Sequence, residues 1–140
     1  MNMTDPYLMI DTCVDRLLKE YQKHRKLIVA VDFDDTVFPY HQTDHSHEMV
    51  LDLVRECQAV GFYIVIWTAS EPIRFPFIKQ FMSDNGIEVD SINENPVSLP
   101  FGNHKKIYYN ILLDDRAGLA SSYNILRRVL HHIKHEKKNN

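Results

Sequence analysis

The 140-residue chain has the size and composition of one globular domain, with 44% hydrophobic and 25% charged residues. Its formal net charge of −3 argues against general electrostatic binding to nucleic acid, which leaves nucleic acid possible only as a substrate. The longest apolar runs are too short to span a bilayer, and the opening MNMTDPYLM lacks the pattern of a secretory signal. We therefore expect a cytoplasmic protein with no membrane partner, whose residues 1–140 form a single domain.

The first predicted element is a helix over residues 5–24. Asp5 and Pro6 are a suitable N-cap and first-turn proline for it. This helix belongs to an addition, residues 1–26, that precedes the core at 27–134. We expect it to pack on the domain's own sheet, with self-association as the alternative. Its apolar side chains recur at helical spacing, at Tyr7, Ile10, Val14, Leu17, Leu18 and Tyr21.

The next predicted element is a strand with acidic residues at its end. Residues 27–31, LIVAV, form the continuous apolar run that is typical of a strand buried on both faces of a sheet. Asp32, Asp34 and Asp35 follow it directly. They would lie at the carboxyl end of the strand, which is the edge where ligands bind in an open α/β sheet. The alternative interpretation is an ordinary polar turn.

A polar segment with three histidines follows this strand. A helix resumes near Ser46 or His47 and ends at Gly61. The spacing of His41, His45 and His47 fits no single helical face, and no cysteine accompanies them. We therefore expect solvated loop histidines rather than a zinc or nickel site.

Residues 62–67 form a second predicted buried strand, rich in β-branched and aromatic side chains. Thr68 and Ser70 follow it, and Pro72 lies in the first turn of a helix that runs to about residue 85. A hydroxyl and free N–H groups at a helix N-terminus can bind an anion, whereas Thr68 and Ser70 can also simply cap the helix. Both interpretations stay open, because one geometry serves both.

A weaker strand is predicted over residues 87–92, and a loop then leads to the pair Lys105 and Lys106. The fourth predicted strand covers residues 110–115 and ends in Asp114 and Asp115. A lysine pair is usually solvated surface, but this one lies just ahead of an acidic strand end. Lys106 is our candidate for a functional lysine, with Lys105 as the alternative.

A final amphipathic helix from residue 116 to roughly 134 completes an alternation of strands and helices. This alternation predicts a three-layer α/β/α Rossmann-like fold with a small parallel sheet. The strand order 4-1-2-3 would place the first and fourth strands side by side, so that their acidic ends converge. Clustered carboxylate oxygens without cysteine or histidine suit Mg²⁺ best.

Four motifs resemble those of the haloacid dehalogenase (HAD) superfamily over about residues 27–130. Residues 32–36, DFDDT, fit its DxDxT signature, and Asp114-Asp115 fit its terminal acidic motif. Thr68 closes the run FYIVIWT as the threonine or serine of the second motif would, and Lys106 stands where relatives carry the lysine of the third. Asp35 departs from the glycine that is common in the DxDGT form, and its charge is expected to tune metal or substrate affinity.

The resemblance implies a phosphatase that works through an aspartyl-phosphate. Asp32 would be the nucleophile, and Asp34 would be the general acid and then the general base. Thr68 and Lys106 would bind the phosphoryl oxygens. Mg²⁺ would be held by Asp32, the backbone carbonyl of Asp34, Asp114 and Asp115.

The same resemblance predicts a capless enzyme. Only about ten residues separate Thr36 from the helix near His47, which is enough for a flap but not for a cap domain. The open site could admit a bulky substrate or be covered by a second copy in a homo-oligomer. A nucleotide or another small phosphate ester is the expected substrate. The alternatives are a phosphatase for nucleic-acid ends or phosphoproteins, and a non-catalytic phosphate-binding module.

Overall fold

The computed structural model describes residues 5–41, 44–96 and 107–138. Within these ranges four strands form one parallel sheet in the order β3-β2-β1-β4. This is the predicted order 4-1-2-3 read from the other edge, so the α/β class and the strand order are confirmed. The strands are β1 (Ile28–Val31), β2 (Tyr63–Ile66), β3 (Ser91–Ile92) and β4 (Ile111–Leu113), and the α-helices are α1 (Ile10–His24), α2 (Glu48–Ala59), α3 (Phe75–Asp84) and α4 (Leu119–Lys138).

The register of the sheet brings the ends of its central strands to one level. Val31, the last residue of β1, pairs with Ile66 of β2 and Leu113 of β4. The pairing continues one step further, because the Asp32 N–H donates to the Leu113 carbonyl at 2.9 Å. The residues that follow these three strands therefore emerge at the same edge of the sheet.

The two faces of the sheet are covered differently. Val29, Val31 and Ile64 face a large apolar cluster that also contains the buried side chains of all four helices. The opposite face presents Ile28, Ala30 and Val65 to a smaller cluster with Ile107, which precedes β4. The described helices therefore account for one outer layer of the predicted sandwich.

The N-terminal addition has the predicted helix with a different start. Asp5 accepts a hydrogen bond from the Tyr7 N–H at 2.9 Å and caps a 3-10 turn, Pro6–Leu8, and α1 begins only after it. Along α1, Val14, Leu17 and Tyr21 are buried as predicted, and they join the large apolar cluster. The prediction that Tyr7 and Ile10 belong to the packed stripe was wrong, because the 3-10 turn and the first residue of α1 lie at the surface and expose both side chains.

Two further boundaries differ from the prediction. The third strand is only two residues long, and α4 begins at Leu119 rather than at Arg116. A turn occupies the residues between β4 and α4: Asp114 accepts from the N–H groups of Arg116 and Ala117, and Gly118 has φ +70°. Among the described helices, none has the length and apolar character needed to cross a membrane.

Candidate active site

Three carboxylates meet at the edge of the sheet where β1 and β4 end. Asp32 follows β1, and Asp114 and Asp115 follow β4. One carboxylate oxygen from each of the three lies within 4.8 Å of the other two. The prediction that the parallel strands would bring their acidic ends together is therefore confirmed for these three, whereas the side chains of Asp34 and Asp35 do not belong to the group.

Thr36 ties the loop after β1 to the loop after β4. Its side chain is fully buried, and its hydroxyl lies 3.0 Å from Asp32 Oδ2 and 3.2 Å from Asp115 Oδ1, to either of which it can donate. The hydroxyl also accepts from the Asp115 N–H at 2.9 Å. The threonine of the DxDxT pattern thus fixes the relative positions of two carboxylates.

Burial and the neighbouring acids disfavour the charge of Asp32. The pKa of Asp32 is raised from 3.8 to about 7 by burial, by the hydrogen bond with Asp115 and by the charges of Asp114 and Asp115, against the hydrogen bond from Thr36, which lowers it. An ionised Asp32, which a nucleophile needs to be, therefore requires compensating positive charge nearby.

This pKa predicts how Asp32 affects stability. Because the folded-state pKa of Asp32 is above its ordinary value, Asp32 contributes most favourably to the free energy of unfolding at low pH. This contribution is lost as the pH rises from about 4 through about 7. In the absence of divalent cations, Asp32→Asn should therefore raise the Tm by a few degrees at pH 8 and by less at pH 5. The exposed Asp15→Asn, measured by the same thermal unfolding scans, is the control. An equal Tm for Asp32→Asn and wild type at pH 8 would contradict the prediction.

Asp34 lies outside the three-carboxylate group and pairs with Arg74, a residue that the sequence did not single out. Arg74 Nη1 donates to Asp34 Oδ2 at 2.7 Å, and Nη2 donates to Oδ1 at 2.8 Å. Arg74 ends a 3-10 turn, Pro72–Arg74, that leads directly into α3. One arginine at the start of a helix is an unremarkable pattern, so only the tertiary structure reveals this pair.

Asp35 organises the loop that follows the first motif. Its backbone has φ +63°, a conformation that glycine adopts without strain and that aspartate tolerates. Its carboxylate accepts from the N–H groups of Tyr40 and His41 at 3.2 and 2.7 Å and contacts the His41 ring. The carboxylate of Asp35 therefore stabilises the loop that was predicted to act as a flap. Its expected effect on metal or substrate affinity stays a prediction.

Thr68 lies at the same edge, just beyond β2. Its backbone N–H donates to Asn93 Oδ1 at 2.8 Å, and its carbonyl accepts from Asn93 Nδ2 at the same distance. Its hydroxyl oxygen accepts from the Ser70 N–H at 3.1 Å, which leaves the hydroxyl hydrogen able to donate to a ligand. The capping and phosphate-binding interpretations are thus compatible. Lys105 and Lys106, the candidates for the functional lysine, lie outside the described residues.

A cavity of about 700 Å³ joins these groups. Arg116, which follows Asp115 directly, is a second cation at this cavity; the sequence pattern predicted it only as the start of a helix. Acidic side chains outnumber the arginines among the described residues of its wall. The wall is formed by Asp32, Asp34, Asp35, Tyr40, His41, Thr68, Ala69, Ser70, Glu71, Ile73, Arg74, Asp114, Asp115 and Arg116.

The three histidines after the first motif do not form a metal site in the described part of the chain. His41 contacts Asp35, and His45 Nε2 lies 3.8 Å from Asp44. His47 is partly buried just ahead of α2. The three-carboxylate group is the cluster of possible ligands that the described residues bring together.

Comparisons with known proteins support the fold and leave the activity untested. No protein-family model matches the chain, and no curated protein matches it in sequence. A solved structure of a conserved protein from Bacteroides thetaiotaomicron is similar, with a TM-score of 0.60 and 17% identity over 74% of this chain and 91% of that one. At this identity the similarity establishes an α/β fold of the Rossmann-like class and nothing about chemistry.

Proposed function

We propose that the protein is a Mg²⁺-dependent phosphatase of the capless HAD type, which hydrolyses a phosphomonoester through an aspartyl-phosphate. The observation that carries this proposal is the meeting of Asp32, Asp114 and Asp115 within 4.8 Å at a cavity that also presents Thr68. These residues belong to three of the four motifs that resemble the superfamily. The geometry therefore supports the same assignment as the motifs do.

The donor set fits a hard divalent cation. All three side chains offer oxygen, and burial together with the neighbouring Asp115 and Asp114 raises the pKa of Asp32. Asp32, Asp114 and Asp115 would hold the ion, together with the backbone carbonyl of Asp34 that the resemblance implies. When bound, Mg²⁺ would supply the positive charge that keeps Asp32 ionised and lets an anionic phosphate approach it.

The proposed reaction uses two residues of the loop after β1. A carboxylate oxygen of Asp32 attacks phosphorus, the bond from phosphorus to the leaving oxygen breaks, and Asp34 gives that oxygen a proton. Water then attacks the phosphorus while Asp34 takes a proton from it. The bond from phosphorus to Asp32 breaks, which releases phosphate and restores both residues.

The hydrogen bonds of Asp34 bear on this cycle. Both of its oxygens accept from Arg74, an arrangement suited to the base that activates water in the second step. Donation of a proton in the first step requires one of those hydrogen bonds to open. Thr68 is positioned to donate its hydroxyl hydrogen to a phosphoryl oxygen.

The substrate that we propose is a nucleotide or another small phosphate ester. Two large side chains at the cavity, Tyr40 and Ile73, are 55% and 88% exposed and offer apolar surface to a leaving group. Phosphate at a nucleic-acid end or on a protein is the alternative substrate. A cytoplasmic location and a second copy covering the site stay predictions.

A screen of phosphomonoesters with purified protein and Mg²⁺ tests the proposal. We expect release of inorganic phosphate from several esters, with the fastest turnover marking the substrate class. Asp32→Asn protein purified in the same way controls for contaminating phosphatases. Phosphate binding without release from any nucleotide, sugar, peptide or oligonucleotide ester would instead favour a non-catalytic binding module.

A further inference from the structure

The guanidinium of Arg74 is the most constrained cation among the described residues of the cavity. Besides its two hydrogen bonds to Asp34, its Nη1 donates to the Ser70 hydroxyl at 2.8 Å. Three hydrogen bonds therefore fix the plane of the guanidinium as well as its position. Ser70 in turn is held by Thr68, whose hydroxyl accepts from the Ser70 N–H.

Aromatic rings surround the same guanidinium. Phe33 and Phe38 stack on each other with centroids 5.2 Å apart, and Phe77 packs edge-on against both. Arginine interacts favourably with ring faces while its N–H groups stay free to donate, so the rings restrict Arg74 without competing for its hydrogen bonds. The distances from Arg74 Cζ to the ring centroids of Phe33, Phe38, Tyr40 and Phe77 are 5.3, 5.7, 5.7 and 5.8 Å.

This ion pair differs from the exposed pairs elsewhere on the protein. The side chains of Arg74 and Asp34 are 26% and 30% exposed, whereas those of Arg128 and Asp11, whose ion pair is also 2.7 Å long, are 46% and 75% exposed. In exposed ion pairs, solvent screening and the cost of restricting two flexible side chains offset much of the attraction between the charges. A bidentate pair that rings hold in place keeps more of its attraction and a defined geometry.

The geometry matters because Asp34 is only two residues from Asp32. An aspartate next to three clustered carboxylates could turn toward a cation bound there and become one more ligand. Arg74 donates to both oxygens of Asp34, and Asp34 is not part of the group of Asp32, Asp114 and Asp115. The pair thereby keeps the Asp34 carboxylate at the cavity in one orientation, from which one of its two hydrogen bonds opens when the proton passes to the leaving oxygen of a substrate.

We propose that Arg74 is a positioning residue that fixes the carboxylate of Asp34 for proton transfer to the leaving group. This inference rests on the proposed phosphatase function. It adds that one arginine, delivered by the 3-10 turn before α3, determines how well the enzyme handles substrates whose leaving oxygen needs a proton.

The kinetic test compares two leaving groups. An alkyl phosphate has a poor leaving group that needs a proton, whereas a dinitrophenyl phosphate has a good one that does not. We expect Arg74→Met to lower kcat for the alkyl phosphate by about 10²-fold, within the usual range of acid–base catalysis, and to leave kcat for the aryl phosphate nearly unchanged. KM should change little for either substrate, and Arg74→Lys should restore part of the loss.

Two further variants make the test specific. Asp34→Asn should show the same dependence on the leaving group, and adding Arg74→Met to it should cost nothing more, because the two residues act as one unit. Arg128→Met removes an ion-paired arginine that is not part of the cavity wall and should leave both rates unchanged. Equal losses of kcat on both substrates, or a rise in KM with kcat preserved, would overturn the proposal in favour of a structural or a substrate-binding role.

A crystal structure of Arg74→Met decides the positioning claim independently of turnover. We expect the Asp34 side chain to leave its observed position while Asp32 and Thr36 keep theirs. An unmoved Asp34 would overturn the proposal. If the wild-type protein hydrolyses no phosphate ester, the proposed function fails, and this structural comparison still establishes whether Arg74 holds Asp34.

Discussion

Asp32→Asn is expected to reduce turnover of every accepted phosphate ester to the background rate. The amide that replaces the carboxylate is a poor nucleophile and cannot form the aspartyl-phosphate. The loss should not arise from misfolding, because the substitution removes a charge that burial and the neighbouring acids disfavour and should raise the Tm of the cation-free protein. Activity and thermal unfolding measured on the same sample separate the two effects.

The comparison with Asp34→Asn tests the division of roles. Loss of the acid–base residue should slow turnover by about 10²–10⁴-fold, and by less for substrates with good leaving groups. Loss of the nucleophile should abolish turnover of every substrate. Beryllium fluoride, a mimic of an acyl-phosphate, should form an adduct on Asp32 in a crystal of the wild-type protein. An adduct on Asp34 or Asp35 would overturn the assignment, as would substantial residual activity of Asp32→Asn.

Removal of divalent cations is the second change with a large expected effect. Chelation should silence the enzyme, and Mg²⁺ added back should restore it, because clustered carboxylates repel a phosphate until their charge is compensated. Turnover of an aryl phosphate before chelation, after chelation and after addition of Mg²⁺ measures this directly. Full activity in excess chelator would contradict the assignment of a magnesium site.

The ion should also be detectable without activity. Mg²⁺ binds the folded protein in preference to the unfolded chain, so it should raise the Tm, and more at pH 8 than at pH 5, because protons compete for Asp32 at the lower pH. Asp115→Asn should weaken this shift, whereas Asp15→Asn, on the exposed side of α1, should leave it intact. A shift that is insensitive to Asp115 would place the ion elsewhere.

The sequence alone determined the sheet and most of the site. Continuous apolar runs predicted β1 and β2, and acids at the ends of two strands were enough to place β4 beside β1. Parallel strands bring their carboxyl ends to one edge, so the convergence of Asp32, Asp114 and Asp115 followed from the fold class. The phosphatase chemistry that the motifs imply stays a prediction for the experiments above.

Other features were decided only by the tertiary structure. Local periodicity could not show that Tyr7 and Ile10 are exposed. An apolar stripe along a helix does not reveal how far the surface that the helix packs against extends. The positive φ of Asp35 became evident only from the structure of the loop that its carboxylate stabilises. The position of Arg74 at the cavity could not be predicted from the sequence either. It depends on Asp34, 40 residues earlier in the chain, and on aromatic rings from two separate segments. Contacts between residues distant in sequence leave no periodic signal in either segment, so only the folded chain reveals them.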